Sequence, residues 1–229
     1  MQNKKTLTLF FVLTVLAVVG AFFYITRPAE APSIPADEIT IVSLIENVPT
    51  GATLYRIVPG ESSAEFYIGE ILNGQANTVI GTTGAITGDI AVHSADPAKT
   101  TISAVRINAR TLKTDSERRD GVVSRSILRS DQPENEFISF APALLAGLPE
   151  KTQTAPFDFQ ITGDLSIAGV AQRTVWTAQV EELSGNQVVA SAETTIRYAD
   201  FGINIPQVPF VASVEDEVRL VVHVVARSI

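Results

Sequence analysis

Alternation of apolar and polar residues dominates the chain from Gly51 onward and predicts β-strands. The runs TLYRIV and SAEFYI flank the segment PGES, whose composition is typical of a turn. GAITGDIAV and ISAVRINART form a second pair around HSADPAKTT. The same period continues in FDFQITGDLSIAG, RTVWTAQVEEL, QVVASAETTIRYADFGI and EVRLVVHVVARS. About eight strands at short spacing predict an all-β fold, a single antiparallel barrel or sandwich over residues 51–229.

Residues 111–131 interrupt this period with the densest cluster of charges in the domain. Thr114 and Glu117 have the spacing of a capping box, and Val123 and Ile127 lie four positions apart, as on one helix face. The stretch therefore predicts a helix of about three or four turns inserted between strands.

The N-terminus carries a charge-free apolar stretch from Thr6 to Thr26, directly after Lys4 and Lys5. Its length roughly matches a hydrocarbon core of about 30 Å, so residues 1–27 predict a transmembrane anchor. The preceding lysines favour a cytoplasmic N-terminus with the rest of the chain outside. A cleaved signal peptide is the alternative, although the sequence AEA that could serve as the cleavage site is followed at once by Pro32. Residues 28–50 are rich in Pro, Ala and acidic residues and predict an extended tether.

Composition narrows the chemistry that the domain can perform. The formal charge of the 229-residue chain is −8, which argues against non-specific nucleic-acid binding. The chain has no Cys, so thiolate metal sites and cysteine nucleophiles are excluded. His93 is expected in a surface turn, and His223 lies in a strand, facing outward or bonded to a neighbour. With no Gly-x-Ser-x-Gly turn, metal-ligand cluster or phosphate loop, we expect neither an enzyme nor a metal or cofactor site.

A set of short motifs in a fixed order carries a family resemblance. They are Tyr55-x-Ile57, Ser62-Ser63-Ala64-x-Phe66-x-Ile68, Gly81, Gly88-Asp89-Ile90, Thr114 with Arg119-Asp120, Phe137-Ile138-Ser139-Phe140, Gly163-Asp164-Leu165-Ser166-Ile167-Ala168-Gly169-Val170, Phe201-Gly202-Ile203 and Val214-x-Asp216-x-Val218. In this order they resemble the YceI-like family of extracytoplasmic, lipocalin-like barrels. The chain departs from the family pattern at Val58, where an acidic residue is usual. It has Gly69-Glu70 where a His is common, and Thr82 or Thr83 where an aromatic residue is expected.

The resemblance implies an eight-stranded lipocalin-like barrel that binds a polyisoprenoid. By alternation, the inward residues are Ala64, Phe66, Ile68, Ile107, Ala109, Ile138, Phe140, Ile161, Leu165, Val175, Ala192, Thr194 and Ile196. Periodicity does not separate a hollow barrel from a filled one, and the resemblance favours a cavity. Trp176, out of phase with Val175, is expected on the exterior, against the tether, the membrane interface or a dimer partner.

The charged helix has two interpretations. Thr114, Arg119 and Asp120 either face a bound head group or hold the helix on the barrel as a lid, because Arg forks bind oxyanions but also pair with carboxylates. Arg118, Arg125 and Arg129 are expected to face solvent.

Together these observations predict a lipid-binding protein anchored by its N-terminal helix. Its domain is expected on the extracytoplasmic side of a bacterial cell, in the periplasm or at the cell surface. It would sequester or carry an isoprenoid lipid, either a polyprenyl phosphate or a quinone. The alternative is a non-catalytic structural or interaction module of the cell envelope with a filled barrel. Whether the protein forms a homodimer is left open.

Overall fold

A computed structural model describes residues 48–150, 155–207 and 211–229. One curled antiparallel sheet contains the thirteen strands of this part of the chain. The strands are β1 (Thr53–Ile57), β2 (Ser63–Leu72), β3 (Gln75–Thr83), β4 (Ile86–Thr87), β5 (Asp89–Val92), β6 (Thr101–Ile102), β7 (Val105–Asn108), β8 (Phe137–Ala146), β9 (Phe157–Ile167), β10 (Val170–Leu183), β11 (Gln187–Arg197), β12 (Val211–Val214) and β13 (Glu217–Ser228).

Consecutive antiparallel pairings join the strands into one sheet that curls around the core. Strands β7, β8, β9, β10, β11 and β13 follow one another, each antiparallel to the next. The other edge of β13 pairs with β2 and, further along, with β1. Strand β1 pairs with β5, and β4 pairs with β7. Gly88 alone separates β4 from β5, so this short stretch connects the β7 side of the sheet with the β1 side.

Two predicted strands are divided, and β3, β8 and β12 lie outside the eight runs recognised by alternation, so thirteen strands are observed where about eight were expected. Gly88 divides the strand of GAITGDIAV, and residues 103–104 divide the next one into β6 and β7. Strand β12 pairs with the end of β2 and was not predicted. The prediction of an antiparallel all-β fold with one short inserted helix is confirmed. The sheet is curled into a half-barrel where an eight-stranded barrel was expected, and the arrangement is consistent with a lipocalin-like fold.

The inserted helix lies between β7 and β8. Helix α1 (Glu117–Val122) continues into a π-helical turn at Val123–Ile127. Ser116 caps its N-terminus, because the Ser116 hydroxyl accepts a hydrogen bond from the Arg119 amide at 3.4 Å. The predicted capping box of Thr114 and Glu117 is therefore wrong, and the helix begins later than that motif requires.

The core is a continuous apolar cluster on the inner face of β9, β10 and β11, extended by a second cluster around Tyr55 and Ile57. The phenol of Tyr55 donates to the Ser184 carbonyl at 2.7 Å, and burial raises the Tyr55 pKa.

Among the described residues no helix has the length and apolar character that would let it cross a bilayer. The predicted anchor and nearly all of the predicted tether lie outside the described residues.

A buried ion pair joins β1 to β5. The Arg56 guanidinium donates from Nε to one Asp89 oxygen at 2.9 Å and from Nη2 to the other at 3.2 Å. Asp89 is completely buried. The pair fixes the register at the point where β5 meets β1, because a two-pronged contact tolerates little sliding.

We expect Asp89→Ala to lower the free energy of unfolding by about 3–5 kcal/mol, because it leaves the Arg56 charge without this partner in the protein interior. Asp164→Ala is the matched control, since Asp164 pairs with Arg173 at 2.8 Å but both side chains are about half exposed. The control should cost about 0–1 kcal/mol. Urea unfolding of both variants followed by circular dichroism tests this, and equal losses would contradict the assigned role of the Arg56–Asp89 pair.

Candidate functional site

The inner face of the sheet lines two apolar chambers. The inner chamber has a volume of about 160 Å³, and its lining is apolar except for His93, Thr100 and Ser191. The helix-side chamber has a volume of about 550 Å³ and is bounded by α1, the segment 203–207 and β12. Five residues line both chambers and so form a shared wall: Ile107, Ile138, Leu165, Trp176 and Val222.

Trp176 is the largest side chain of this shared wall. It is 5% exposed, and its indole ring lies 5.5 Å from the Phe140 ring at an interplanar angle of 54°. The indole Nε1 donates to the Thr174 hydroxyl at 3.0 Å, so its one polar group is satisfied within the apolar interior.

Two glycines let phenylalanine rings lie against the sheet. A Cβ atom at Gly81 would fall 2.1 Å from the Phe66 ring, and one at Gly163 would fall 2.6 Å from the Phe140 ring. Phe66 and Gly81 are direct partners across β2 and β3. Each ring therefore occupies the space that a side chain at the glycine position would otherwise take. The two chambers lie beside these rings.

Asp120 anchors the helix to the segment that precedes it. Its carboxylate is buried and accepts from the Thr114 amide at 2.7 Å and from the Thr114 hydroxyl at 2.8 Å. Lys113 places its ammonium 3.6 Å from the same carboxylate and also joins β3 through a backbone bridge to Thr82. These contacts attach the helix to the preceding segment through Thr114 and Asp120.

Arg119 faces the helix-side chamber but is engaged with carboxylates. Its guanidinium lies 3.3 Å from Glu70 of β2 and also contacts Asp115 one helical turn earlier. Glu70 is 8% exposed and accepts a further hydrogen bond from Asn77 at 2.8 Å. The ion pair connects the helix to β2 across the rim of the chamber.

The remaining polar groups of the helix-side chamber are mostly neutral or acidic. Glu65 lines the chamber, accepts from the Ser63 hydroxyl at 3.2 Å and also accepts from the Tyr67 phenol. That hydrogen bond to Glu65 raises the pKa of Tyr67, with a smaller contribution from desolvation. Arg118 lines the chamber from an exposed position on the helix.

A buried polar network fixes the chain as it returns from the helix to β8. The Glu136 carboxylate accepts from the Asn108 amide at 3.1 Å and lies 3.4 Å from the Arg110 guanidinium. Arg110 also donates to the backbone carbonyls of Ser130 and Asp131. These contacts place the π-helical turn, and hence Val123 and Ile127, over the helix-side chamber.

His93 lies at the end of the inner chamber and not on the surface, so its predicted exposure is wrong. Its Nδ1 accepts from the Asp96 amide at 2.9 Å, which leaves Nε2 to donate to the Thr50 carbonyl at 3.2 Å. Asp96 itself is half-buried, and its hydrogen bond with Lys99 lowers the Asp96 pKa. The His93 ring therefore joins the segment at Thr50 to the turn at Asp96. His223 is exposed on β13, which agrees with the first of its two predicted arrangements, facing outward.

Most residues predicted to face inward line one of the chambers. The inner chamber receives Phe140 and Ile161, the helix-side chamber receives Phe66, Ile68 and Ile196, and the shared wall includes Ile107, Ile138 and Leu165. Ala109 is buried in the core but lines neither chamber. Thr194 is half-buried and donates to the Val175 carbonyl at 2.9 Å, outside both chambers.

Three further placements differ from those predicted. Val175 is 51% exposed, so its inward placement is wrong, and the expected exterior position of Trp176 is wrong for the same reason. Strand β10 carries Trp176, Ala178 and Val180 on its inner face, and that phase puts Val175 outside. Arg125 was expected to face solvent and is instead buried under the π-helical turn.

Sequence reasoning missed other lining residues that had a readable signal. Trp176, Ala178 and Val180 are three apolar residues at period two, whereas Val175 is followed by the polar Thr177 and Gln179 at the same spacing. The indication of a role for Glu70 in the sequence was weaker: this residue occurs where the family pattern commonly has a histidine. Its partner Arg119 is 49 positions away, so the pairing required the fold.

The helix anchor gives a stability prediction. Asp120→Ala removes the acceptor of the buried Thr114 amide and should lower the free energy of unfolding by about 1–3 kcal/mol. Glu117→Ala, an exposed carboxylate of the same helix, is the control and should cost about 0.3–1 kcal/mol through the helix dipole. Chemical denaturation and amide exchange of the Thr114 N–H measure both effects. Unchanged protection of that amide in Asp120→Ala would contradict the anchor.

Comparison with solved structures identifies the architecture. A crystal structure of Burkholderia cenocepacia BcnA is similar with a TM-score of 0.59 at 15% identity, covering 74% of this chain and 98% of that one. A polyisoprenoid binding domain from Saccharophagus degradans, implicated in plant cell wall breakdown, has a TM-score of 0.58 at 11% identity and covers 76% and 98%. A Campylobacter jejuni YCEI protein has a TM-score of 0.51 at 19% identity and covers 62% and 80%. At these identities the similarity establishes the fold alone.

The sequence itself gives the family. No curated protein matches the chain. The family model of the YceI-like domain matches residues 55–226, which include every strand from β2 to β12 and both chambers. The chain therefore belongs to the YceI-like family.

Proposed function

We propose that this protein binds a long-chain isoprenoid lipid inside its curled sheet and sequesters or carries it without chemical change. The observation that carries the proposal is the pair of apolar chambers that share the wall around Trp176. Such a divided interior suits a ligand that is slender and apolar. The structurally similar domain from Saccharophagus degradans is described as polyisoprenoid binding, which supports the same ligand class here.

The two chambers have different tasks in this proposal. The inner chamber, with its almost wholly apolar lining, takes the isoprenoid tail, and each buried CH₂ contributes about 0.8 kcal/mol before the cost of association. The helix-side chamber carries the polar side chains Ser116, Tyr198 and Gln207 and takes the head group. Helix α1 then acts as a lid over the head-group end.

The whole domain encloses the lipid and is held near a membrane in this proposal. The curled sheet acts as a lipocalin-like barrel around the lipid, and the continuous series of strand pairings from β7 to β5 supports this role. The apolar stretch in residues 6–26 supports a domain held near a membrane on its extracytoplasmic side. A carrier held there can exchange lipid with the bilayer without a long diffusive path.

Filling the inner chamber should weaken binding. We expect Ala178→Phe to raise the dissociation constant for a long-tail ubiquinone at least about tenfold, because the ring occupies the space of the tail. Trp176 is the only tryptophan and lines both chambers, so quinone quenching of its fluorescence reports binding directly. The measurement uses the full chain in detergent micelles.

Val175→Phe is the matched control for this experiment. It adds a larger apolar side chain to the same strand but on its exposed face, and it should leave the dissociation constant unchanged. Ala192→Phe on β11 blocks the inner chamber independently, so one poorly folding variant does not decide the test. Unchanged quenching in both blocking variants, with native far-UV circular dichroism, would show that the tail lies elsewhere.

A further inference from the structure

The charges around the helix-side chamber bear on which head group it accepts. Two basic residues line this chamber in the described part of the chain, Arg118 and Arg119, and two carboxylates line it, Glu65 and Glu70. Their formal charges cancel. Asp115, in contact with Arg119 at the rim, adds a further negative charge. The chamber therefore offers no net positive charge to an anionic ligand.

Arg119 is the less exposed of the two basic residues that line this chamber, and its charge is already balanced by carboxylates. Its guanidinium is held between Glu70 and Asp115, and its side chain is 23% exposed. Glu70 is fixed in turn by the Asn77 amide, so it cannot swing away without losing two polar contacts in a buried position. A phosphate that approached Arg119 would have to replace a carboxylate and remain beside it, and such like-charge contacts are strongly unfavourable.

Neutral head groups meet the opposite situation. Ser116, Tyr198 and Ser213 line the chamber with hydroxyl groups, which can donate to a carbonyl or accept from an alcohol. Neither interaction requires Arg119 to leave Glu70. The charge balance of the chamber thus favours an uncharged polar head over a phosphorylated one.

We propose that the helix-side chamber selects isoprenoid lipids with an uncharged head group, a prenol or a quinone, and that Glu70 is the residue that excludes a phosphate. The inference rests on the proposed isoprenoid binding. It chooses between the two head-group classes that the sequence left open. Glu70 acts by neutralising Arg119, and its removal converts the rim into an anion site.

The test compares two lipids with the same tail, undecaprenol and undecaprenyl phosphate, for binding to the full chain in detergent, measured by native mass spectrometry. The unmodified protein should bind undecaprenol at least about tenfold more tightly than the phosphate. In Glu70→Gln the preference should fall at least about tenfold, because Arg119 is released toward the phosphate. A purely structural role of Glu70 would weaken both lipids equally and leave their ratio unchanged.

Glu61→Gln is the matched control. Glu61 is exposed, pairs with Arg227 at 2.7 Å and lies outside the chambers, so this variant changes the net charge equally and should keep the original preference. Asp115→Asn removes the exposed carboxylate from the same guanidinium and should shift the ratio in the same direction as Glu70→Gln, by a smaller factor. Asp115→Asn therefore still tests the effect on the lipid preference if Glu70→Gln, at a buried position, lowers the stability of the protein.

The outcomes separate this inference from the proposed function. Tight binding of undecaprenyl phosphate by the unmodified protein, equal to or above that of undecaprenol, would overturn the selection and leave isoprenoid binding in place. An unchanged ratio in both Glu70→Gln and Asp115→Asn would overturn the role of the Glu70–Arg119 pair. Absence of both lipids from the protein would contradict isoprenoid binding itself, and the selection with it.

Discussion

The alternation of side chains along β9, β10 and β11 is the constraint on which the rest of the structure depends. Successive residues of a strand point to opposite faces, so these long strands carry one apolar face that must be removed from water. The sheet does this by curling, which turns Phe159, Leu165, Trp176 and Ile196 toward one another. Curling hides the face without an opposing layer, and it leaves an interior whose filling depends on the size of each inward side chain.

The small residues of that inner face are as important as the large ones. Gly81 and Gly163 receive the rings of Phe66 and Phe140, and Ala178 leaves room beside Trp176. A core built only for stability would fill such space, because empty volume forfeits dispersion contacts at a cost of about 24 cal/mol per Å³. The divided, largely apolar interior is therefore best understood as space kept for a ligand.

Polar contacts at the two ends hold the curled sheet in register. Arg56 and Asp89 fix β1 against β5, while Asp120 ties the helix to the segment that follows β7. Glu136 and Arg110 hold the return of the chain to β8. These groups are buried and paired, so each is satisfied only in one arrangement of the strands. Hydrophobic burial drives the curling, and the ion pairs select its register.

More of the fold than of the site could be predicted from the sequence, because the strands follow from local patterns whereas the site depends on how distant segments pack. Period-two patterns and the motif order were sufficient for a curled β fold with an inserted helix. The phase of β10 was assigned from Val175 alone, although Trp176, Ala178 and Val180 carry the stronger pattern. Arg125 was assigned by residue type, and its burial follows from the π-helical turn, which periodicity does not reveal.

The pairing of Glu70 with Arg119 was beyond any local pattern. It joins a strand and a helix 49 positions apart, and neither residue suggests the other. Its physical importance comes from its position at the rim, where a cation attracts anions only while it lacks a carboxylate partner. Arginine alone therefore does not indicate a phosphate site, and the fold must show what the guanidinium already binds. In this protein the same ion pair that connects the helix to β2 also neutralises the Arg119 charge that could attract a phosphate head group.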